Sequence, residues 1–304
     1  MMIPHRMGSR SGAAYRASVR AVATVVAAAV LAGAIVATAP ATLQPLRGGN
    51  NFFSNCYLSR IATDDPIVYP HQPGRSHSHT FFGSKSTNAN STTASLRASR
   101  TTCRRHADTA AYWVPTLYGR GIPIKPTKGS AYFVLKSRSA IHPFPPGLKM
   151  IAGDPHALAP QSLTVTFWSC SGLEGKRWLT PHSCNTRPHK HRPLRLIRRP
   201  HQSLLQLDVV FPDCWDGHHL DSPNHRSHMA YSHNFDCPRS HPVKVPRLRF
   251  IVTYPIVHPM NLSLASGGIY SAHADFINAW HQKPFARLVT DCFLGRRGCD
   301  APPR

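Results

Sequence analysis

Apolar and polar side chains alternate along several stretches of the chain, the pattern of β-strands that bury one face. The alternation is clearest in residues 162–168, 205–211 and 248–254. Shorter β-rich runs, two of them closed by glycine, occupy residues 112–118, 131–136 and 148–152. These six stretches predict a chain built mainly from short strands.

Helical periodicity is confined to residues 276–280 and 285–289, with Pro284 between them. Because proline interrupts a helix interior, we expect two separate short helices near the C terminus. Many short strands, few helices and no alternating βαβ pattern predict a mainly β fold. The expected architecture is a single-domain β-sandwich, jelly-roll-like and rich in loops.

Residues 1–39 have the pattern of an export signal. Four arginines precede an apolar run over residues 21–37, and the small-residue sequence Ala37-Thr38-Ala39 follows. We interpret the segment as a signal peptide or, because Pro40 is an awkward neighbour for cleavage, as an N-terminal membrane anchor. Either interpretation exports the rest of the chain, so we expect a secreted or envelope-associated protein that contacts a membrane only through this segment.

The remaining chain divides into a linker, one domain and a tail. We assign residues 40–49 to the linker, 50–292 to a single β-rich domain and 293–304 to the C-terminal tail. The chain has eight cysteines, an even number, and cysteines of an exported protein usually form disulfides. Their spacing favours three pairs, which are Cys170 with Cys184, Cys214 with Cys237, and Cys292 with Cys299. The absence of a C-x-x-C motif argues against a cysteine zinc site.

The chain is strongly basic, with 36 Lys and Arg against 13 Asp and Glu, for a formal net charge of +23. A basic insert at about 185–201 contains no carboxylate. Such a run is usually a solvated loop, and its functional interpretation is attraction to anionic envelope polymers. Specific nucleic-acid binding is disfavoured, because no aromatic residue is interleaved to stack on bases and the chain is exported.

Histidine and aspartate cluster in three places. His77-Ser78-His79 puts two imidazoles on one face of an extended segment, and residues 216–229 and 269–276 each contain further His and Asp. We expect these clusters to meet in one cleft that binds a divalent metal ion or transfers protons. The candidate metal ligands are His77, His79, His228, His273 and Asp275. The candidate catalytic residues are Asp65, His79, Asp216, Asp221, His273 and Asp275.

The same segments carry a family resemblance. In order along the chain they read DPIV from Asp65, HSHTFFG from His77, TTC from Thr101, AYWVP from Ala111, GLKMIAGD from Gly147, CWDG from Cys214 with LDS from Leu220, HMAY from His228, CP from Cys237 with HPV from His241, and HADF from His273 with AW from Ala279. Together they resemble a secreted family of fungi and bacteria catalogued as domain of unknown function number nineteen-ninety-six, over about residues 50–292. Some members are joined to wall- or carbohydrate-binding modules, which implies a polysaccharide context. The basic insert departs from the family pattern.

Three function classes stay open. The first is a carbohydrate-active hydrolase or lyase, with or without one divalent metal ion, working through the His and Asp residues above. The second is a non-catalytic wall-binding module, and the third is a metal-binding structural envelope protein. In the second class, sugar faces would stack on Tyr112, Trp113, Trp215 and Trp280. Missing G-x-S-x-G, H-E-x-x-H, P-loop and dinucleotide motifs disfavour the commonest hydrolases, zincins and nucleotide enzymes.

Overall fold

The computed structural model describes residues 51–136, 140–173, 175–184, 202–293 and Cys299. The N-terminal segment, the linker and the basic insert predicted from the sequence lie outside these residues. Within them, no helix is long and apolar enough to cross a membrane. Regular structure in the described part of the chain consists of sixteen strands and two helices.

The strands are short and follow one another with few helical interruptions. In chain order they are β1 (Asn51–Cys56), β2 (Leu58–Ala62), β3 (His79–Gly83), β4 (Ala111–Pro115), β5 (Leu117–Gly119), β6 (Ile122–Pro123), β7 (Lys128–Val134), β8 (Lys149–Gly153), β9 (Thr166–Cys170), β10 (Leu205–Val210), β11 (Cys214–Trp215), β12 (Met229–Ala230), β13 (Val243–Lys244), β14 (Arg247–Thr253), β15 (Leu262–Leu264) and β16 (His273–Ile277). The helices are α1 (Thr93–Ala98) and α2 (Gln282–Phe293).

Two five-stranded sheets carry the fold, in the orders β1-β7-β14-β10-β9 and β2-β3-β4-β16-β8, and every pairing is antiparallel. The sheets pack against each other through large aromatic side chains. Tyr112 of β4 stacks on Phe250 of β14 with ring centroids 5.1 Å apart, and Phe211 contacts Phe276 of β16 edge-on. This architecture confirms the predicted mainly β sandwich. Two three-stranded sheets, β12-β11-β13 and β15-β5-β6, complete the described strands.

The second sheet is covered on both faces. Successive side chains of a strand point to opposite faces, so Tyr112 faces the main core while its neighbour Trp113 faces away from it. On the outer face, Trp113 and Phe81 form a smaller apolar cluster with Ile67, from the loop before β3, and Leu96 of α1. The outer face is therefore a second, small core under a loop and a helix, and the candidate site lies on the same face.

Three local predictions differ from the structure. Residues 162–165 form a turn in which the Ser162 carbonyl accepts from Val165 N and Thr166 N, so the strand begins only at Thr166. Residues 276 and 277 belong to β16, and the two expected C-terminal helices are replaced by α2 alone. Pro284 lies in the first turn of α2, where its missing N–H costs no helical hydrogen bond.

Four disulfides staple the domain, and no described cysteine is free. The pairs Cys170–Cys184, Cys214–Cys237 and Cys292–Cys299 confirm the connectivity predicted from spacing. The remaining pair, Cys56–Cys103, spans 47 residues and ties β1 to the segment before β4. Four disulfides indicate an oxidising, extracellular environment.

The buried carboxyl group of Asp108 makes the stability of the fold depend on pH. Asp108 is fully buried, accepts a hydrogen bond from the Tyr112 hydroxyl at 3.1 Å, and Tyr112 in turn accepts from the Trp280 indole at 3.0 Å. Burial raises the pKa of Asp108 to about 7, although hydrogen bonds oppose the rise. The folded protein therefore favours the protonated carboxyl more than the unfolded chain does.

We expect the contribution of Asp108 to stability to be complete below about pH 4 and to be lost as the pH rises toward 7. Asp108→Asn should remove this pH dependence, because the amide does not ionise. Urea unfolding of both proteins between pH 4 and pH 8 gives the difference in free energy at each pH. A difference that does not vary with pH would show that the carboxyl does not titrate in this range.

Candidate functional site

Three histidines meet on the outer face of the second sheet. Strand β4 lies between β3 and β16, and the register pairs Pro115 with His79 and Trp113 with Asp275. His79 begins β3 and His273 begins β16, so both lie at the same end of β4. The loop before β3 brings His77 against them, with ring centroids 4.2 Å from His79 and 5.1 Å from His273.

The ring nitrogens of these histidines are close enough to share one metal ion. One nitrogen from each of His77, His79 and His273 lies within 4.8 Å of the other two. Nε2 of His77 is 3.3 Å from Nε2 of His273. Two nitrogens bound to one tetrahedral zinc ion at about 2.0–2.1 Å each would lie roughly 3.3 Å apart. We call these three residues the histidine cluster.

Backbone carbonyls fix the tautomers of the two buried histidines. His79 Nδ1 is 2.9 Å from the Asp64 carbonyl oxygen, and His273 Nδ1 is 2.9 Å from the Ser271 carbonyl oxygen. A carbonyl oxygen only accepts, so both Nδ1 atoms carry the proton and both Nε2 atoms carry a lone pair. Histidines that bind metals are commonly oriented in this way by a carbonyl behind the ring.

Burial keeps the histidine cluster neutral. It lowers the pKa of His77 to about 4 and that of His273 to about 3, and it lowers the pKa of His79 well below its usual value. Neutral imidazole is the form that binds metal. His79 Nε2 is moreover buried with no hydrogen-bond partner among the described residues, a position that a bound cation would satisfy.

One carboxyl group lies beside the cluster, and a second lies close enough to act on the first. Asp275 Oδ2 is 3.9 Å from His273 Nε2, and it too is buried without a hydrogen-bond partner in the described part of the chain. Burial raises the pKa of Asp275 well above its usual value, and the nearby Asp65 raises it further. Asp65 itself shapes the loop, because its Oδ1 accepts from the backbone N–H groups of Ile67 and Val68 at 2.9 and 3.0 Å.

Comparison with known proteins gives one match. A family model described as Domain of unknown function (DUF1996) matches residues 65–280. The chain belongs to this family. The match confirms the resemblance seen in the sequence motifs, and it contains the whole histidine cluster together with Asp65 and Asp275. No curated protein and no solved structure matches the chain.

Other candidates in the DUF1996 domain do not join the cluster. His228 Nδ1 is 2.9 Å from the Ser222 hydroxyl and its Nε2 is 2.7 Å from the Lys149 carbonyl, so neither nitrogen is left for a metal. This corrects the expectation that His228 is a ligand and gives it a structural role.

The other two aspartates hold loops. Asp216 accepts from the backbone N–H groups of His218 and His219, and Asp221 accepts from Lys149 Nζ and binds His225 Nδ1. Their carboxylates are therefore already occupied by local partners. Neither carboxylate is among the groups beside the histidine cluster, and the catalytic role expected for Asp216 and Asp221 has no support from this geometry.

The aromatic residues proposed for sugar stacking are mostly inaccessible. Tyr112, Trp113 and Trp280 are fully buried, the first and last in the main core and Trp113 in the small outer core. Only Trp215 is partly exposed, and its Nε1 donates to the His219 carbonyl at 2.6 Å. The expectation that these four residues stack on sugar faces is therefore corrected, because three of the four rings have no exposed face.

Sequence reasoning missed the groups that complete the site. The Asp64 carbonyl orients His79, and no sequence pattern shows which backbone carbonyl will accept a hydrogen bond from a histidine ring. Arg226 is an exposed side chain whose charge lowers the pKa of His273, in addition to the larger effect of burial. Arg226 stands in a His-rich loop, but its sequence context gave no reason to separate it from the other arginines.

Proposed function

We propose that this DUF1996 protein is an extracellular metal-dependent enzyme of the hydrolase or lyase type that acts on polysaccharide. Its metal centre is the histidine cluster, His77, His79 and His273. The single observation that carries the proposal is the convergence of three imidazole nitrogens, two of which have their tautomers fixed by carbonyls.

The donor set selects the class of metal. Imidazole nitrogen suits zinc, copper, nickel and iron, whereas calcium and magnesium prefer oxygen ligands. Three protein ligands with a fourth position open to water or substrate are typical of catalytic zinc sites. A metal bound in this way would polarise a substrate oxygen or lower the pKa of a bound water molecule.

The residues around the centre have distinct tasks in this proposal. His77 is partly exposed and marks the side from which a substrate reaches the cluster. Asp275, whose Oδ2 is 3.9 Å from His273 Nε2, would orient a group bound to the metal. The buried rings of Trp113 and Phe81, on the same outer face of the sheet, exclude bulk water from the buried side of the cluster.

Polysaccharide as the target rests on the cellular context. Four disulfides and the export-type N-terminal segment indicate an extracellular protein. Membership of a secreted family with wall-associated relatives points in the same direction. A wall-binding module that works by aromatic stacking is less well supported, because Tyr112, Trp113 and Trp280 are buried.

Elemental analysis tests the metal centre directly. The exported part of the chain, produced without a histidine tag, should contain about one equivalent of a transition metal after dialysis against a weak chelator. A strong chelator should remove the metal, and added zinc should restore one equivalent. A protein that contains no transition metal and binds no zinc with defined stoichiometry would refute the proposal.

A further inference from the structure

A cavity of about 330 Å³ lies along strand β8, the neighbour of the strand that carries His273. Its wall includes Ile151 and Gly153 of β8, which pair across the sheet with Asp275 and His273 of β16. Cross-strand partners lie about 4.5–5.5 Å apart, so the cavity begins one strand away from the proposed ligand His273. A molecule in this cavity would lie beside the metal centre.

Arg226 is the charged side chain that lines this cavity. The polar side chains around it are already engaged, since Gln161 donates to the Tyr270 and Ala272 carbonyls and Tyr231 donates to the Val210 carbonyl. The guanidinium of Arg226 makes one long hydrogen bond, from Nη1 to the Ile151 carbonyl at 3.5 Å. Among the described residues no carboxylate forms a salt bridge with it.

The position of Arg226 links the cavity to the cluster electrostatically. Its charge is close enough to act on the pKa of both His273 and Asp275, in addition to the larger effect of burial. An arginine with most of its donors free, at the wall of a cavity, fits an oxyanion better than any neutral group. The planar guanidinium matches a carboxylate or a phosphate through two parallel hydrogen bonds.

We propose that Arg226 binds the acidic group of the substrate, and that the substrate is an anionic saccharide. This inference rests on the proposed function, because it places a charged sugar unit in the cavity with its neighbouring linkage at the metal centre. The shared ligand chemistry is an oxyanion on a sugar ring, supplied either by a uronate carboxylate or by a sugar phosphate. The strongly basic composition of the chain, +23 overall, favours such polymers by long-range attraction.

Calorimetric titration of the zinc-loaded protein tests the assignment. The probes are an oligoglucuronate, an oligo(mannose phosphate) and a neutral gluco-oligosaccharide of equal length, at about 0.15 M salt so that distant charges are screened. We expect the protein to bind at least one acidic probe more tightly than the neutral one. Arg226→Gln should weaken that binding by roughly tenfold or more, as expected when a charge-assisted hydrogen bond is lost.

The controls separate this inference from the metal proposal. Arg97→Gln removes the same charge from a different cleft and should bind all three probes like the unmodified protein. Arg226→Gln should keep its full zinc content, because Arg226 is not a ligand. Equal affinity for acidic and neutral probes, or equal weakening by Arg97→Gln, would overturn the role of Arg226. Loss of zinc stoichiometry in the unmodified protein would instead refute the metal centre.

Discussion

His79→Ala is expected to lower the affinity for zinc by more than about 100-fold. Mutating a residue that hydrogen-bonds a metal ligand already lowers metal affinity by about 10–100-fold, and loss of the ligand itself should lower it further. His79 is the best single target, because its Nε2 is buried, unprotonated and without another partner among the described residues. Competition with a chromogenic zinc chelator of known affinity measures the change.

A folding defect must be distinguished from the loss of a ligand. His77→Ala offers a second route, since His77 is partly exposed and its removal disturbs packing less. His228→Ala is the matched control, because His228 is as buried as His79 and His273 but uses both ring nitrogens within the protein. We expect His228→Ala to reduce stability while keeping one zinc site. Unchanged zinc affinity in both His77→Ala and His79→Ala would remove the cluster from consideration as a metal centre.

The fold was predictable from the sequence where a strand buries one face and exposes the other to solvent. Alternation located β10 and β14 to within a residue or two, because half-buried strands separate apolar and polar side chains. Alternation was misleading at residues 162–165, where it belongs to a turn. The helical periodicity of residues 276–280 was misleading too, because residues 276 and 277 end a strand that is buried on both faces. Continuous apolar runs cannot distinguish such a strand from a helix.

The candidate site was predictable only in part, since sequence shows which side chains share a face but not which faces meet. The i, i+2 spacing of His77 and His79 and the clustering of His273 with Asp275 were visible. The loop that brings His77 to His273, 196 residues apart in sequence, was not. His228 looked equivalent to His273 in the sequence, and only the Ser222 and Lys149 contacts show that its nitrogens are already in use.

Asp213→Ala is expected to destabilise the domain by about 3–5 kcal/mol, the cost of leaving a buried ionic partner unpaired. Asp213 is fully buried at the end of the first sheet, where its Oδ2 accepts from Lys244 Nζ at 2.8 Å and from Arg247 Nε at 3.0 Å. Lys244 is itself buried, and burial lowers its pKa. Chemical unfolding with the disulfides intact measures the loss of free energy.

The double variant Asp213→Ala with Lys244→Met identifies the cause of this loss. If the unpaired ammonium is responsible, replacing it with an apolar side chain of similar length should restore a large part of the stability. Arg247 needs no replacement, because about a quarter of its side chain is already exposed and its guanidinium can turn toward water. A double variant as unstable as Asp213→Ala alone would instead assign the loss to the hydrogen bonds that Asp213 accepts from the backbone N–H and hydroxyl of Ser232.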